Sequence, residues 1–144
     1  MCGGNEMERF GLKESIIKDE ILYQTFQKAY FKLREFIDTD NKTEISQMAI
    51  IHAYEYTFEL WWRAVQKHLE YIEDIQDYGP NATIKNAFQY GVIEDGQTWM
   101  DMLKDRNMTA HTYKEDVAND IYQRIITKHI HALQQFVEDF DGKI

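Results

Sequence analysis

Residues 105–116, DRNMTAHTYKED, bring together side chains that could bind an anion and move a proton beside it. Arg106 carries a rigid fork of N–H donors that suits the oxygens of a phosphate group. Histidine is the side chain whose unperturbed pKa lies near neutral pH, which makes His111 the candidate for proton transfer. Asn107 can orient His111 or donate to a phosphate oxygen, and Tyr113 adds a phenol. These residue types indicate phosphate chemistry that requires no metal ion.

The same residues interrupt the apolar pattern of the sequence before them. The segment GQTWMDMLK predicts an amphipathic helix with Trp99, Met102 and Leu103 on one face. If that face continues, its next position falls on Arg106, with Asn107 beside it. Polar groups therefore stand where the periodicity asks for apolar ones, and this indicates either a functional site or a structural ion pair.

Each residue of this group also has a structural interpretation. Buried arginines are usually paired, so Arg106 could form a salt bridge to Glu55 or Glu59 on the predicted second helix. In either case these two carboxylates are the candidates for supporting Arg106. His111 could be a helix-entry residue bonded to backbone, and a tyrosine such as Tyr113 is ordinary at a helix start.

A capping motif predicts where the last helix begins. Thr112 and Glu115 have the T-x-x-E spacing of a capping box, in which each side chain satisfies a backbone N–H. With Thr112 as the N-cap, Arg106 ends the previous helix and His111 lies in the bend. Tyr113 is then the first residue of the last helix. Because helix N-termini attract anions, we predict a phosphate-binding corner between the two helices.

The rest of the chain predicts helices, and no strand pattern, internal repeat or low-complexity segment occurs. Apolar residues recur at three- and four-residue steps from about Glu14 to Ile37 and from about Glu44 to Ile75. A third apolar stripe begins at Val117 and reaches the C-terminus. We therefore predict an all-α fold, an antiparallel four- or five-helix up-and-down bundle. Trp61 and Trp62 are expected in the core and at an interface rather than as a platform for stacking bases.

Local signals predict several helix ends. Asn41 or Thr43 can cap the second helix, and Asp95 is a good N-cap for the helix that leads to Arg106. A short helix, TIKNAFQYG, should end at Gly91 in a left-handed cap.

Length and composition fit one folded domain. The 144 residues are 44% hydrophobic and 14% aromatic, which is enough for a core. We predict a flexible N-terminal tail over residues 1–10 and a single helical-bundle domain over residues 11–144. The start lacks the apolar core of a signal peptide, and no apolar run approaches the ~20 residues that span a bilayer. With Cys2 as its one cysteine, the chain is expected to be cytoplasmic, without membrane contact.

The formal net charge of −9 limits the choice of ligands. Nucleic-acid binders usually carry a basic patch, because neutralising phosphates supplies much of their affinity. Here Lys104, Arg106 and Lys114 are offset by neighbouring Asp and Glu residues. Tight nonspecific binding to long nucleic acid is therefore not expected, and a small charged ligand, a flexible single strand or a protein partner remains.

The sequence predicts neither a metal ion nor another cofactor. Helical bundles can hold two iron ions through Glu-x-x-His pairs, and here only the reversed order, His52 with Glu55, occurs. The other histidines outside the 105–116 segment have no second ligand at metal-like spacing: His68, His129 and His131.

The motif and its surroundings resemble a known family. Arg-x4-His followed by x-Tyr, formed by Arg106, His111 and Tyr113, is similar to the signature of HEPN domains. The blocks HAYEYTFELWWRAV and IKNAFQYGVIEDGQTWMDMLKDRNMTAHTY resemble the nucleotidyltransferase substrate-binding protein branch of that superfamily. The resemblance covers nearly the whole chain after about Phe10. It departs from the family pattern at Trp61, where the family usually has a small residue.

The resemblance implies a bundle that forms homodimers and acts as the substrate- or nucleotide-binding subunit of a separately encoded minimal nucleotidyltransferase. It places a phosphate- or RNA-binding cleft at Arg106, Asn107, His111 and Tyr113. Related members are toxins of toxin–antitoxin modules, metal-independent ribonucleases that the nucleotidyltransferase partner holds in check. For such an enzyme Arg106 and His111 would be the catalytic residues. In some pairs the partner transfers AMP onto the tyrosine that matches Tyr113.

The subunit and the ribonuclease are the two functions that we carry forward. A free-standing ribonuclease would gain from a basic groove to hold RNA, so the acidity of the chain favours the subunit. A protein that retains the motif only as structure is a third alternative.

Overall fold

The computed structural model describes residues 6–140, with side chains from residue 20 onward. This part of the chain is helical and contains no strand, so the predicted all-α bundle is confirmed. The elements in chain order are α1 (Glu6–Asp38), α2 (Glu44–Glu73), α3 (Pro80–Gln89), α4 (Gly96–Met108), a 3-10 turn (Thr109–His111), α5 (Glu115–Arg124), a π-helical turn (Ile125–His129) and α6 (Ile130–Phe140). Helix α5, the π turn and α6 follow one another without a loop between them. Together they form one helical segment, which we call the α5–α6 rod.

The helices alternate in direction through the bundle. Tyr23 of α1 packs against Phe140 at the end of the rod, with ring centroids 5.2 Å apart. At the other end, Lys42, just after α1, lies 3.2 Å from the hydroxyl of Tyr122 in α5. Helix α1 is therefore antiparallel to the rod.

Helices α2 and α4 complete the up-and-down arrangement. Trp99, near the start of α4, stacks on Trp61 of α2. Thr109, just past the end of α4, contacts Glu55, which lies earlier in α2. Helix α4 is therefore antiparallel to α2, and this direction brings the end of α4 to the middle of α2.

Aromatic rings from three helices fill the centre of the core. The indoles of Trp61 and Trp99 stack with centroids 4.0 Å apart, and Phe136 of α6 meets both rings edge-on. Trp61 is fully buried, and Trp62 is 4% exposed, so the prediction that this pair lies in the core is confirmed. Large buried rings such as these contribute much of the apolar area that stabilises a small bundle. They also fix the position of α4 against α2.

Three helix ends agree with the local signals. Thr43, rather than Asn41, is the N-cap of α2, and its hydroxyl accepts the Ser46 N–H at 3.2 Å. Asp95 caps α4 by accepting the Thr98 N–H at 3.1 Å. Gly91, with φ of +76°, follows α3 in the left-handed region, as predicted.

The predicted capping box at the last helix is wrong. Helix α5 begins at Glu115, with Lys114 rather than Thr112 in the N-cap position. The Thr112 hydroxyl instead donates to the carbonyl oxygen of Thr109 at 3.0 Å. The reason is the 3-10 turn, which leaves Thr112 with helical dihedral angles, whereas an N-cap residue needs an extended backbone such as that of Lys114. Tyr113 therefore lies in the turn before α5.

Other helix ends differ from the predictions by a few residues. Helix α1 begins at Glu6 rather than near Glu14, and α2 ends at Glu73 rather than Ile75. Residues 1–5 of the predicted N-terminal tail lie outside the described residues. Within residues 6–140, no helix combines the length and the hydropathy needed to cross a membrane.

Candidate functional site

Arg106 lies in the last turn of α4 and pairs with α2. Its guanidinium donates to a carboxylate oxygen of Glu59 at 3.2 Å, and the side chains are 33% and 28% exposed. The sequence left Glu55 and Glu59 as alternative partners, and the structure pairs Arg106 with Glu59. Because a third of its side chain remains accessible, Arg106 has donor capacity left for a ligand.

Glu59 serves two arginines at once. Its second carboxylate oxygen accepts from Nε and from a terminal nitrogen of Arg63, at 3.1 and 2.9 Å. Burial alone would raise the pKa of Glu59, but the Trp62 indole and the two neighbouring guanidinium groups more than offset it and hold that pKa below its ordinary value. Glu59 is therefore ionised at neutral pH and restrains Arg106.

A second contact to α2 fixes the 3-10 turn after α4. The Thr109 side-chain hydroxyl donates to the Glu55 carboxylate and also lies 2.6 Å from the carbonyl oxygen of Arg106. Thr109 is 7% exposed. The sequence alone does not point to this residue, because a lone threonine in a polar turn gives no signal without its partner.

His111 and Tyr113 lie on the solvent side of this turn. Their rings meet edge-on with centroids 6.1 Å apart. Tyr113 is 77% exposed, and Asn107 is also exposed on the last turn of α4. We use the name Arg–His corner for Arg106, Asn107, His111 and Tyr113, which the structure places within one turn of α4 and the loop that follows it.

The apolar periodicity predicts a core position at Arg106, and this prediction is wrong. Asp105, not Arg106, is the buried residue at this point of α4, with 5% exposure. Its carboxylate accepts from Arg124 at 2.7 and 2.9 Å and lies 2.7 Å from Nε2 of His129. Burial would raise the pKa of Asp105, but these two partners hold it below its ordinary value. Asp105 therefore ties α4 to the α5–α6 rod, on a different side of α4 from Glu59.

The two predicted supporting residues, Glu55 and Glu59, both make contacts at the end of α4. Glu55 supports the turn through Thr109, and Glu59 supports Arg106 directly. Within residues 6–140, no group of three or more His, Cys, Asp or Glu side chains is arranged to hold a metal ion.

Comparison with known proteins identifies the family. Residues 22–141 match the family described as nucleotidyltransferase substrate binding protein like. A protein of Haemophilus influenzae named probable ribonuclease HepT is 25% identical over 116 residues, which are 81% of this chain and 65% of that protein. The matched region thus spans slightly less than two thirds of that relative.

Solved structures agree with the fold. A crystal structure from Thermus thermophilus superposes with a TM-score of 0.73 at 28% identity, covering 79% of this chain and 97% of that one. A Haemophilus influenzae structure, reported to reveal the fold of a substrate binding domain of a nucleotidyltransferase, gives 0.68 at 22% identity, covering 83% and 98%. The family predicted from the sequence blocks is confirmed: the chain belongs to the nucleotidyltransferase substrate binding protein-like family, of HEPN type.

Proposed function

We propose that this protein is a substrate- or nucleotide-binding subunit that pairs with a separately encoded minimal nucleotidyltransferase. The family to which the chain belongs supports a nucleotidyltransferase as the partner. The observation that carries the proposal for the site is the accessibility of the Arg–His corner: the side chain of Arg106 is one-third exposed, and His111 and Tyr113 are exposed in the turn that follows α4.

The corner fits an anionic ligand such as a nucleotide phosphate or a short single strand of RNA. Arg106 supplies a fixed positive charge, and Asn107 and His111 supply neutral or titratable donors. Glu59 limits how strongly Arg106 attracts anions, because a ligand must share or replace that ion pair. We therefore expect selective binding of small phosphate groups rather than tight binding of long nucleic acid, in line with the net charge of −9.

We also propose that two copies of the chain associate through the surface around this corner. Met108 and Tyr113 are large exposed side chains within it or beside it. Met48, 39% exposed, lies seven residues before Glu55 and therefore on the same face of α2. A homodimer would cover these side chains and bring two Arg–His corners together. Light scattering that shows only monomer at micromolar concentration would refute it.

Tyr113 is the proposed site of modification by the partner. Its exposed phenol could attack the α-phosphorus of ATP, forming a phosphodiester to AMP while pyrophosphate leaves and the phenolic proton passes to a base. The product would add bulk and negative charge at the corner. Incubation with the nucleotidyltransferase and ATP should therefore add the mass of AMP to Tyr113 in the wild type and not in a Tyr113→Phe variant.

The pairing itself is tested by co-purification. The nucleotidyltransferase should be encoded in the neighbouring reading frame, and the two proteins, produced together, should elute as one complex. A tag on either protein should retain both. Absence of such a frame, or separate elution of the two proteins, would contradict the two-component proposal whatever the corner binds.

A metal-independent ribonuclease is the second candidate, favoured by the relative named probable ribonuclease HepT. In such a reaction the RNA 2′-hydroxyl attacks the adjacent phosphorus, the 5′-oxygen of the next nucleotide leaves, and a 2′,3′-cyclic phosphate forms. His111 would transfer the protons, and Arg106 would stabilise the negative charge of the phosphorane. Two corners across a dimer would supply one histidine as base and another as acid.

The ribonuclease is tested on single-stranded RNA in the presence of EDTA. We expect wild-type protein to cleave the RNA and a His111→Ala variant to leave it intact. His131→Ala is the matched control, because His131 is exposed on α6 and lies outside the corner. Equal RNA stability with the wild type and with His111→Ala would end the enzyme hypothesis for the isolated chain.

A further inference from the structure

We propose that a cleft between α4 and the α5–α6 rod binds a small ligand with a phosphate group on an apolar body. This α4–rod cleft is bounded by the α3–α4 loop, one side of α4 and the rod, and has a volume of about 1020 Å³. Small-molecule sites usually have volumes of about 300–1,000 Å³. No residue of the Arg–His corner lines the cleft, so this site is separate from the proposed function.

Apolar side chains line the middle of the cleft. They are contributed by the α3–α4 loop, α4 and α6, and include Ile93, Trp99, Ala132 and Phe136. The rings of Trp99 and Phe136 are each 4% exposed and are held by core packing. Part of the cleft lining is therefore apolar and rigid, and this part suits a hydrocarbon or aromatic body rather than a bare ion.

The π turn contributes part of the polar lining of the cleft. Arg124 and His129 are five residues apart, which in a regular α-helix would separate their directions by about 140°. The wider π turn between them brings both side chains to Asp105 on α4. Such turns are rare and are frequent at functional sites. Here the turn builds a fixed polar cluster in the lining of the cleft.

His129 leaves a hydrogen-bonding position unused at this cluster. The side chain lines the cleft and is 2% exposed, with its ring stacked on Tyr54 at a centroid distance of 5.4 Å. Its Nε2 is engaged by Asp105, and its Nδ1 is buried without a hydrogen-bond partner in the described part of the chain. Buried polar atoms are usually satisfied, so this nitrogen is a hydrogen-bonding position that a ligand bound at the cluster would complete only after a small movement of the ring.

The lining of the cleft carries five carboxylates and three lysine or arginine side chains, and these cations belong to the second half of α4, the end of α5 and the π turn. Lys104 and Lys128 line it, and neither has a carboxylate within ion-pair distance among residues 20–140. Arg124 stands beside them with 43% of its side chain exposed. Asp101 and Asp139 each accept a hydrogen bond at 2.9 Å from a glutamine on their own helix, which orients these carboxylates and leaves their charge in place. A dianionic phosphate would complement this group of cations.

Acidic and basic side chains are distributed unevenly along the cleft. Glu94 and Asp95 line the end formed by the α3–α4 loop, and Asp139 lines the facing part of α6. Lys104 lies nine residues beyond Asp95, about 13 Å further along α4 at 1.5 Å per residue. We therefore expect the phosphate to lie towards Arg124 and Lys128, with the uncharged body of the ligand extending towards the loop.

Titration of the full chain with 1-naphthyl phosphate, followed by calorimetry, tests this inference. We expect saturable binding of one molecule per chain. 1-Naphthol lacks the anion and inorganic phosphate lacks the apolar body, so each should bind at least tenfold more weakly. A Lys104→Gln, Lys128→Gln double variant should bind 1-naphthyl phosphate at least tenfold more weakly than wild type. Both lysines are exposed, so the variant should stay folded, and circular dichroism checks this.

Two control variants separate this cleft from the Arg–His corner. Lys85→Gln removes an exposed lysine of α3 that does not line the cleft, and Arg106→Ala removes the cation of the corner. Lys85→Gln should bind 1-naphthyl phosphate as wild type does, and Arg106→Ala, which removes only binding at the corner, should keep the binding that the lysine double variant loses. The inference is overturned if no saturation occurs, if 1-naphthol binds equally well, or if the double variant binds unchanged. Loss of binding in Arg106→Ala instead would assign the anion to the corner and also overturn it.

Discussion

Arg106 and Glu59 form an ion pair across α4 and α2 that stays partly open to solvent, with a nitrogen–oxygen distance of 3.2 Å. Since the same carboxylate also holds Arg63, the pair positions Arg106 more than it stabilises the fold. Ion pairs of this exposure contribute about 0–1 kcal/mol. Their value for a binding site lies in fixing where the guanidinium points.

Glu59→Gln tests this relationship. We expect the free energy of unfolding, measured by urea denaturation at pH 7, to fall by no more than about 1 kcal/mol, because the pair is partly exposed. Glu35→Gln removes a more exposed carboxylate, paired with Lys32 at 3.5 Å, and serves as the control with a smaller change. A loss above about 2 kcal/mol for Glu59→Gln would show that Glu59 is a main stabilising residue and not chiefly a positioning one.

The hydrogen bonds of Asp40 lead us to expect that the folded protein loses stability in acid. Its side chain is 1% exposed, and its carboxylate accepts from Tyr122, from the Ser46 hydroxyl at 2.6 Å and from the Lys42 backbone N–H at 2.9 Å. Burial would raise the pKa of Asp40, but these hydrogen bonds lower it well below the ordinary value of 3.8. The pKa of Asp40 is therefore lower in the folded protein than in the unfolded chain. The ionised Asp40 carboxylate therefore contributes stability above about pH 4, and this contribution is lost as the pH falls towards the folded pKa.

Asp40→Asn measures that contribution. We expect the free energy of unfolding at pH 7 to drop by about 1–3 kcal/mol, because a charged acceptor of several hydrogen bonds is removed. Between pH 5 and pH 2, as ranges of measurement, the variant should lose less stability than wild type. Asp38→Asn, at an exposed neighbouring position, should follow the wild-type pH curve. Parallel curves for wild type and Asp40→Asn would contradict the assignment.

Substitution of Gly91 should strain the backbone without changing side-chain packing. Its φ is +76°, and a Cβ added there would meet no atom within 4 Å. The cost of Gly91→Ala is therefore the strain of a left-handed L-residue, about 1–2 kcal/mol. Gly91→Asn should cost less, because asparagine tolerates this region better. Thermal denaturation of the two variants checks the order, and an equal loss for both would point to some other constraint.

The features that the sequence predicted well are those that depend on short-range spacing. The three- and four-residue repeats placed Trp61 and Trp99 in the core, where both are buried. The caps at Thr43 and Asp95 depend on residues three positions away, so they too were accessible to prediction. The same repeats predicted the all-α bundle, and the residue types of the Arg–His corner drew attention to a segment that lies at the end of α4.

The errors come from contacts between residues distant in sequence. Thr112 was predicted as an N-cap because its spacing to Glu115 is right, but the 3-10 turn is held by Thr109 on Glu55, 54 residues earlier. Asp105 had no signal as a core residue until Arg124 and His129 were seen beside it. A carboxylate enters a core only with such partners, and local periodicity cannot supply them.

Asp105 gives the last prediction, which concerns the link between α4 and the rod. Its side chain is 7% exposed and serves both Arg124 and His129, while the side chain of Arg124 is 43% exposed. Removing a buried shared carboxylate leaves its partners without their acceptor, whereas removing the exposed partner lets water or His129 compensate in part. We therefore expect Asp105→Asn to reduce the free energy of unfolding by about 2–4 kcal/mol and Arg124→Met by about 1 kcal/mol. Urea denaturation of both variants at pH 7 decides this, because equal losses would mean that the Arg124 ion pair alone, and not the buried cluster, holds α4 to the rod.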